Sequence, residues 1–167
     1  MNKNMQLSLN LKEPPLPSQG PKVATQQKVY VLLTIQDEYY LQMRDGIKKY
    51  EYRRKFRDHP TTIFLYVNSP VSAVSAKVEF DKPIVGPVHF ISEIAEGQRK
   101  GSGPSVQEYL AGLDRGYAIP ILSFEEIKPV TLDEIVTIHP RFRPPQLYII
   151  LNNYSKLLSF LLERSVR

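Results

Sequence analysis

Apolar and polar positions change period several times along the chain, and each change marks a predicted element. Residues 28–35 carry the run Val29-Tyr30-Val31-Leu32-Leu33-Thr34-Ile35, β-branched and apolar enough for a buried strand. Over 36–44 the period lengthens: Tyr39, Tyr40 and Met43 stand at helical spacing, and Gly46 follows as a C-cap. Residues 47–56 and 61–68 read as a second and third strand, Ser69-Pro70 as a turn, and 71–80 as a Val- and Ala-rich strand that runs on raggedly to Val88. A helix is expected over 89–96 and a mobile glycine-rich loop over 97–105. Ser105 with Glu108 three places on predicts a capping box opening a helix over 105–113; Thr131 with Glu134 predicts another over 131–138. Between them strand pattern returns over 116–124, extended by 127–130. Behind Pro144-Pro145, the residues Leu147, Ile150, Leu151, Tyr154, Leu158 and Leu161 form one apolar stripe, predicting a last helix to about residue 163.

Strands outnumber helices in the centre, and helices fall between them at irregular intervals. The expected fold is therefore a small α+β domain around a curved or barrel-like sheet, over residues 27–145. Residues 1–26 lack a sustained period and are expected to be a flexible tail. Within them Gln6–Leu11 alternates like an edge strand and Pro14-Pro15-Leu16-Pro17 suits polyproline II, though a solvated linker is the plainer reading. Residues 146–167 are expected as a C-terminal helix, either packed on the domain or used for association, including a homodimer.

Composition narrows the chemistry. The chain has no cysteine and only three histidines, two of them directly before proline. No disulfide framework, thiolate site or cysteine nucleophile exists, and no metal or cofactor is expected. The apolar stretch over 147–162 is broken by Asn152, Asn153, Ser155 and Lys156, short of the roughly 20 apolar residues of a spanning helix. The start of the chain has no uninterrupted apolar run, so a cytoplasmic protein with no membrane partner is expected.

Charge changes the picture more. Lys and Arg outnumber Asp and Glu by 22 to 17, a net charge of +5, and the whole excess lies between Arg44 and Arg57. That stretch holds Arg44, Lys48, Lys49, Arg53, Arg54, Lys55 and Arg57 against Asp45 and Glu51. A charge concentrated this way suits an anionic partner. On a strand, Lys49, Glu51, Arg53 and Lys55 would share one face and Tyr50, Tyr52, Arg54 and Phe56 the other. The ionic face could meet phosphate or a base edge, with Glu51 holding Arg53 or Lys48 in place and tyrosines available for stacking. The bland alternative is a solvated strand edge with an ordinary ion pair at Glu51. Ser69, at a strand end near the expected cleft, and Arg99 and Lys100, in the glycine-rich loop, complete the candidate ligand-binding set of Lys48, Lys49, Glu51, Arg53 and Arg54. The loop lacks Walker spacing, so nucleotide triphosphate hydrolysis is not indicated.

The pattern Gly46-x-Lys48-x-x-Glu51-x-Arg53 resembles the signature of ASCH domains. It stands in the expected order: the strand ending Leu33-Thr34-Ile35, the helix, the motif, the strand Ile63–Val67 with its Asn68-Ser69-Pro70 turn, and later Gly116-Tyr117-Ala118-Ile119. The resemblance covers roughly residues 28–130 and is greatest to small bacterial and archaeal stand-alone members. It implies a PUA-like curved β-barrel with helices between strands, here with an added C-terminal helix. It also implies binding of RNA, single-stranded nucleic acid or a nucleotide-like molecule in a cleft lined by the motif, in regulation of transcription or translation. Some small relatives with this fold are amidohydrolases on acetylated cytidine, and others have been linked to RNA cleavage. In the amidohydrolases the motif lysine works with a threonine where Glu51 stands here. Lys48 carries over, but the nucleophilic hydroxyl does not, and a neighbouring carboxylate favours an ammonium that accepts no proton. An enzymatic alternative would use Lys48 and Glu51 as the catalytic pair, Glu51 as base and Lys48 as oxyanion stabiliser on an acylated nucleoside. A third reading is an interaction domain that uses the C-terminal helix.

Overall fold

The computed structural model describes residues 27–166, so the expectations for the N-terminal tail lie outside the described residues. Seven strands and five α-helices follow one another in the order β1 (Tyr30–Ile35), α1 (Asp37–Arg44), β2 (Tyr50–Arg53), β3 (Thr61–Val67), β4 (Ala73–Phe80), β5 (Ile84–Gly86), α2 (Val88–Gln98), α3 (Ser102–Tyr109), β6 (Gly116–Thr131), α4 (Leu132–Ile138), β7 (Tyr148–Ile150) and α5 (Ser155–Arg164). The sheet runs β2-β6-β4-β3-β1-β7, with β5 also on β6. Among the described residues only β1 and β3 pair parallel; the other neighbours are antiparallel. This is an α+β fold with a curled, half-barrel sheet.

The curl comes from β6. Its first residues pair with β2 and β5, while Ile121 to Thr131 pair with β4. Register shifts on β4 between Val74 and Ala76 and between Glu79 and Phe80 raise the local twist, as bulges do. The two ends of the curl are joined by side chains. The Arg53 guanidinium donates from Nη2 to the Thr34 carbonyl at 3.2 Å, and the Phe56 ring lies 5.2 Å from Tyr148 and 6.1 Å from Phe80.

Three apolar clusters hold the layers. Inside the curl, Val31, Leu33, Ile63, Leu65, Val78 and Ile119 meet Tyr40 and Met43 of α1. On the outer face, Leu32, Phe64 and Val74 pack against Ile135 of α4 and Leu157 and Leu161 of α5. Ile91 and Ala95 of α2 and Val106 of α3 cover Ala118 of β6 in the third.

Some expectations need correction. The strand expected over 47–56 pairs only over Tyr50–Arg53, because the Ile47 and Lys48 amides still bond to the Gln42 carbonyl of α1 and the chain bends at residues 54 and 55. The mobile loop over 97–105 is mostly helix: α2 runs to Gln98 and α3 begins at Ser102 with Gly101 as N-cap at φ +87°, leaving Ser105 inside the helix. A carboxylate from the preceding helix replaces the expected serine cap, since Glu96 accepts the backbone N–H groups of Gly101 and Gly103, each at 2.9 Å. The strand expected over 116–124 does extend through 127–130, as one continuous β6. Finally, the helix expected from 146 starts only at Ser155. Before it, Tyr148–Ile150 pairs antiparallel with β1, and Asn152 extends that contact by accepting from Tyr30 N and donating to Lys28 O. The open edge of β1 outweighs the helical period, and Tyr-Ile-Ile suits a strand equally well. The Thr131–Glu134 capping box is present as expected.

Candidate ligand cavity

At the C-terminal ends of β1 and β3 lies a cavity of about 760 Å³, within the range of small-molecule sites. Its floor is set by how the chain leaves α1. Gly46 adopts φ +69°, a left-handed conformation open to glycine, and the chain reverses so that both Ile47 N–H and Lys48 N–H donate to the Gln42 carbonyl at 2.9 Å. That reversal carries the Lys48 side chain back over the helix. Its ammonium lies 5.2 Å from the Tyr39 ring centroid and 5.0 Å from that of Tyr52, inside cation–π range of both.

Lys48 Nζ is 3.4 Å from Glu51 Oε2, and Arg53 Nε is 2.8 Å from Glu51 Oε1. The second contact is ionic by distance only, since the Nε–H is not aligned with that oxygen and makes no hydrogen bond. Glu51 is 6% exposed, on β2 opposite Ile119 of β6. A buried carboxylate needs compensating charge, and here it has two cations, so the floor keeps a surplus positive charge. Among the described residues, four cations line the cavity, Lys48, Arg53, Arg99 and Lys100, against the carboxylates of Glu38 and Glu51.

The wall is fastened across the opening. Arg99 donates from Nη1 to Gln42 Oε1 at 3.1 Å, and Gln98 donates from Nε2 to the Ile47 carbonyl at 2.8 Å. The segment after α2 is thus tied to the turn after α1. Tyr39 and Tyr109, 41% and 42% exposed, present rings on the cavity wall. Burial, with Tyr50 and Glu51 adding to it, pushes the Tyr52 hydroxyl up to about 12, so it remains neutral. The Thr34 and Tyr52 hydroxyl oxygens are buried with no hydrogen-bond partner among the described residues.

Of the residues singled out from sequence, Lys48, Glu51, Arg53, Arg99 and Lys100 come together in this cavity. Lys49 and Arg54 do not line it: both are exposed, and Arg54 donates from Nη1 to the Tyr109 carbonyl at 3.1 Å, bracing the rim from behind. Ser69 is exposed and outside the wall, where Asn68 stands instead. Sequence reasoning missed Tyr39, Gln42, Tyr52 and Asn68. Strict alternation placed Tyr52 away from Glu51, yet both reach the cavity at the ragged edge of a four-residue strand. The tyrosine-rich composition was the signal that could have found it.

Among the described residues no helix is long and apolar enough to cross a membrane, and no group of three or more His, Asp or Glu side chains could hold a metal ion. No protein-family model and no curated protein matches the chain. Solved structures do. An ASCH protein from Zymomonas mobilis superposes with a TM-score of 0.67 at 23% identity, covering 78% of this chain and 94% of its own. Two single-residue mutants of that protein reach 0.71 at 21% and 20% identity, each covering 82% of this chain, with 96% and 99% of their own length matched. At these identities the likeness speaks for architecture alone: the chain has the PUA-like fold of ASCH domains.

Proposed function

We propose that the cavity binds a nucleotide unit, carried in single-stranded RNA or as a nucleotide-like small molecule. The observation that carries this reading is the carboxylate-anchored cation pair, Lys48 and Arg53, on the floor of a cavity walled by exposed tyrosine rings. Cations preset on a buried anion meet a phosphate without being gathered from solvent. Tyr39 and Tyr109 offer stacking faces for an unpaired base, whereas a base inside a duplex has no free face to give. A role in regulating transcription or translation, in the cytoplasm, goes with such a ligand. Arg99 and Lys100 add charge at the mouth, where they act on approach.

Glu51 favours binding over catalysis. Both of its oxygens are in ion pairs, one with each cation, whereas a general base needs an oxygen turned toward a water. A panel of acylated nucleosides is therefore expected to show no turnover, and turnover lost on Lys48→Ala would reverse that assignment.

Binding of labelled single-stranded RNA, measured by anisotropy over a salt series, tests the proposal. Affinity should fall steeply with salt. Arg53→Ala should weaken it at every sequence and flatten the log–log slope by about one, and Lys48→Gln should do the same. Unchanged affinity in both folded variants would remove the cavity as the binding site.

A further inference from the structure

The basic stretch does not end at the cavity. From Arg53 the chain runs on through Arg54 and Lys55, both exposed, to Arg57, which lines a separate hollow of about 470 Å³ together with Lys28, His59, Thr61 and Glu79. Lys28 and Thr61 stand at the N-terminal starts of the parallel pair β1 and β3, whereas Thr34 and Asn68 at their C-terminal ends line the first cavity. The two hollows therefore lie at opposite ends of the curled sheet, roughly 20 Å apart along β1 at ~3.3 Å per residue.

The charges in the second hollow are unequally satisfied. Glu79 has both oxygens engaged, Oε1 by Lys28 at 3.3 Å and Oε2 by the Thr62 hydroxyl at 2.8 Å. Asp58, next to Arg57 in sequence, pairs instead with Lys82 at 3.8 Å. Arg57 is half-buried, and its Nε–H is buried with no hydrogen-bond partner among the described residues; no carboxylate there pairs with it. A partly desolvated guanidinium that lines a hollow with no carboxylate partner suits a planar or tetrahedral oxyanion.

We propose that this hollow is a second phosphate site, with Arg57 as its principal ligand and Lys28 and His59 beside it. The exposed Arg54 and Lys55 mark a cationic path from the first cavity to the second, so a phosphodiester backbone can follow 53–57 down the side of the sheet. At about 3.4 Å of stacked strand per phosphate, a span of roughly 20 Å corresponds to about six nucleotides. The second site does not depend on the first being correctly assigned; the path between them rests on that reading. Free phosphate and a phosphodiester offer Arg57 the same oxygens, and the test separates them.

In the first arm, inorganic phosphate is titrated into the ¹⁵N-labelled full chain while the arginine Nε–H resonances are followed. The Arg57 resonance should shift and saturate, in the wild type and in Arg53→Ala alike. No saturable shift overturns the site. In the second arm, binding is compared for a single strand of about three nucleotides, which reaches only the cavity, and one of about twelve, which reaches both. Arg57→Gln should weaken the long strand about tenfold at low salt, lower its salt slope by about one and leave the short strand unchanged. Arg57→Lys, with a matching thermal melt, should restore the slope by restoring the charge. A phosphate shift with no effect on the long strand identifies free phosphate as the ligand and sinks the backbone path. Failure of the cavity assignment shows differently, as short-strand binding indifferent to Arg53→Ala while the Arg57 response to phosphate persists.

Discussion

Glu96 and Glu51 show how one residue type does two jobs in this molecule. Glu51 is buried between two cations, and its role is electrostatic. Glu96 is at the surface, and its role is to cap: it takes the N–H groups of Gly101 and Gly103, and these hydrogen bonds hold its carboxyl below the usual carboxylate range. A depressed carboxylate stabilises the fold above its ordinary pKa and loses that contribution as pH falls through its lowered value. The amides of Gly101 and Gly103 should therefore lose exchange protection, relative to other helical amides, as pH falls from neutral to below about 4. Glu96→Gln should show weaker protection at neutral pH and little further acid dependence. Equal acid loss in the variant would assign the effect elsewhere. The turn held by Glu96 includes Arg99 and Lys100, so this cap fixes where two cavity cations stand.

At the scale of elements, close packing leaves little room where α3 meets β6. A Cβ on Gly116 would come within 2.4 Å of Leu110 Cδ1 and 3.1 Å of Cδ2, and Leu110 is fully buried. The whole isobutyl group would have to move in a filled cluster, so Gly116→Ala should cost about 1–3 kcal/mol by overpacking. Chemical denaturation of the variant measures this, and a change under about 0.5 kcal/mol, the surface-substitution range, would show that the cluster yields easily. Elements of this kind were unevenly legible in the sequence. β1, α1, β3 and the Thr131 cap carry their own signal in a run of β-branched residues, a helical period or a local hydrogen-bond pair. β7 does not. Tyr148–Ile150 satisfies both periods, and only the vacant edge of β1, distant in sequence, selects the strand. The candidate site divides the same way. Lys48, Glu51 and Arg53 sit within one short segment and could be read as a unit, whereas Gln42 of α1, Asn68 just past β3 and Tyr109 of α3 join them through tertiary packing that no local pattern encodes.

Across the whole molecule the charge is arranged for approach as well as for grip. Lys49 and Lys55 are exposed outside the cavity, on the same basic stretch as Lys48 and Arg53. Exposed charges near a site act chiefly on the association rate. Replacing both by Gln should slow association of a single strand of about three nucleotides, which reaches only the cavity, several-fold at low salt, leave its dissociation nearly unchanged, and lose its effect as salt screens them. Stopped-flow measurement separates the two rates, and an equal change in dissociation would mean that these lysines touch the ligand. β6 bears on this too. One sixteen-residue strand serves as partner to β2, which carries the cavity carboxylate, and to β4, the middle of the barrel wall. No hinge separates recognition from scaffold: the anchor point for a guest is bolted to the same beam that keeps the molecule in shape, so the cost of becoming ordered falls mainly on the guest.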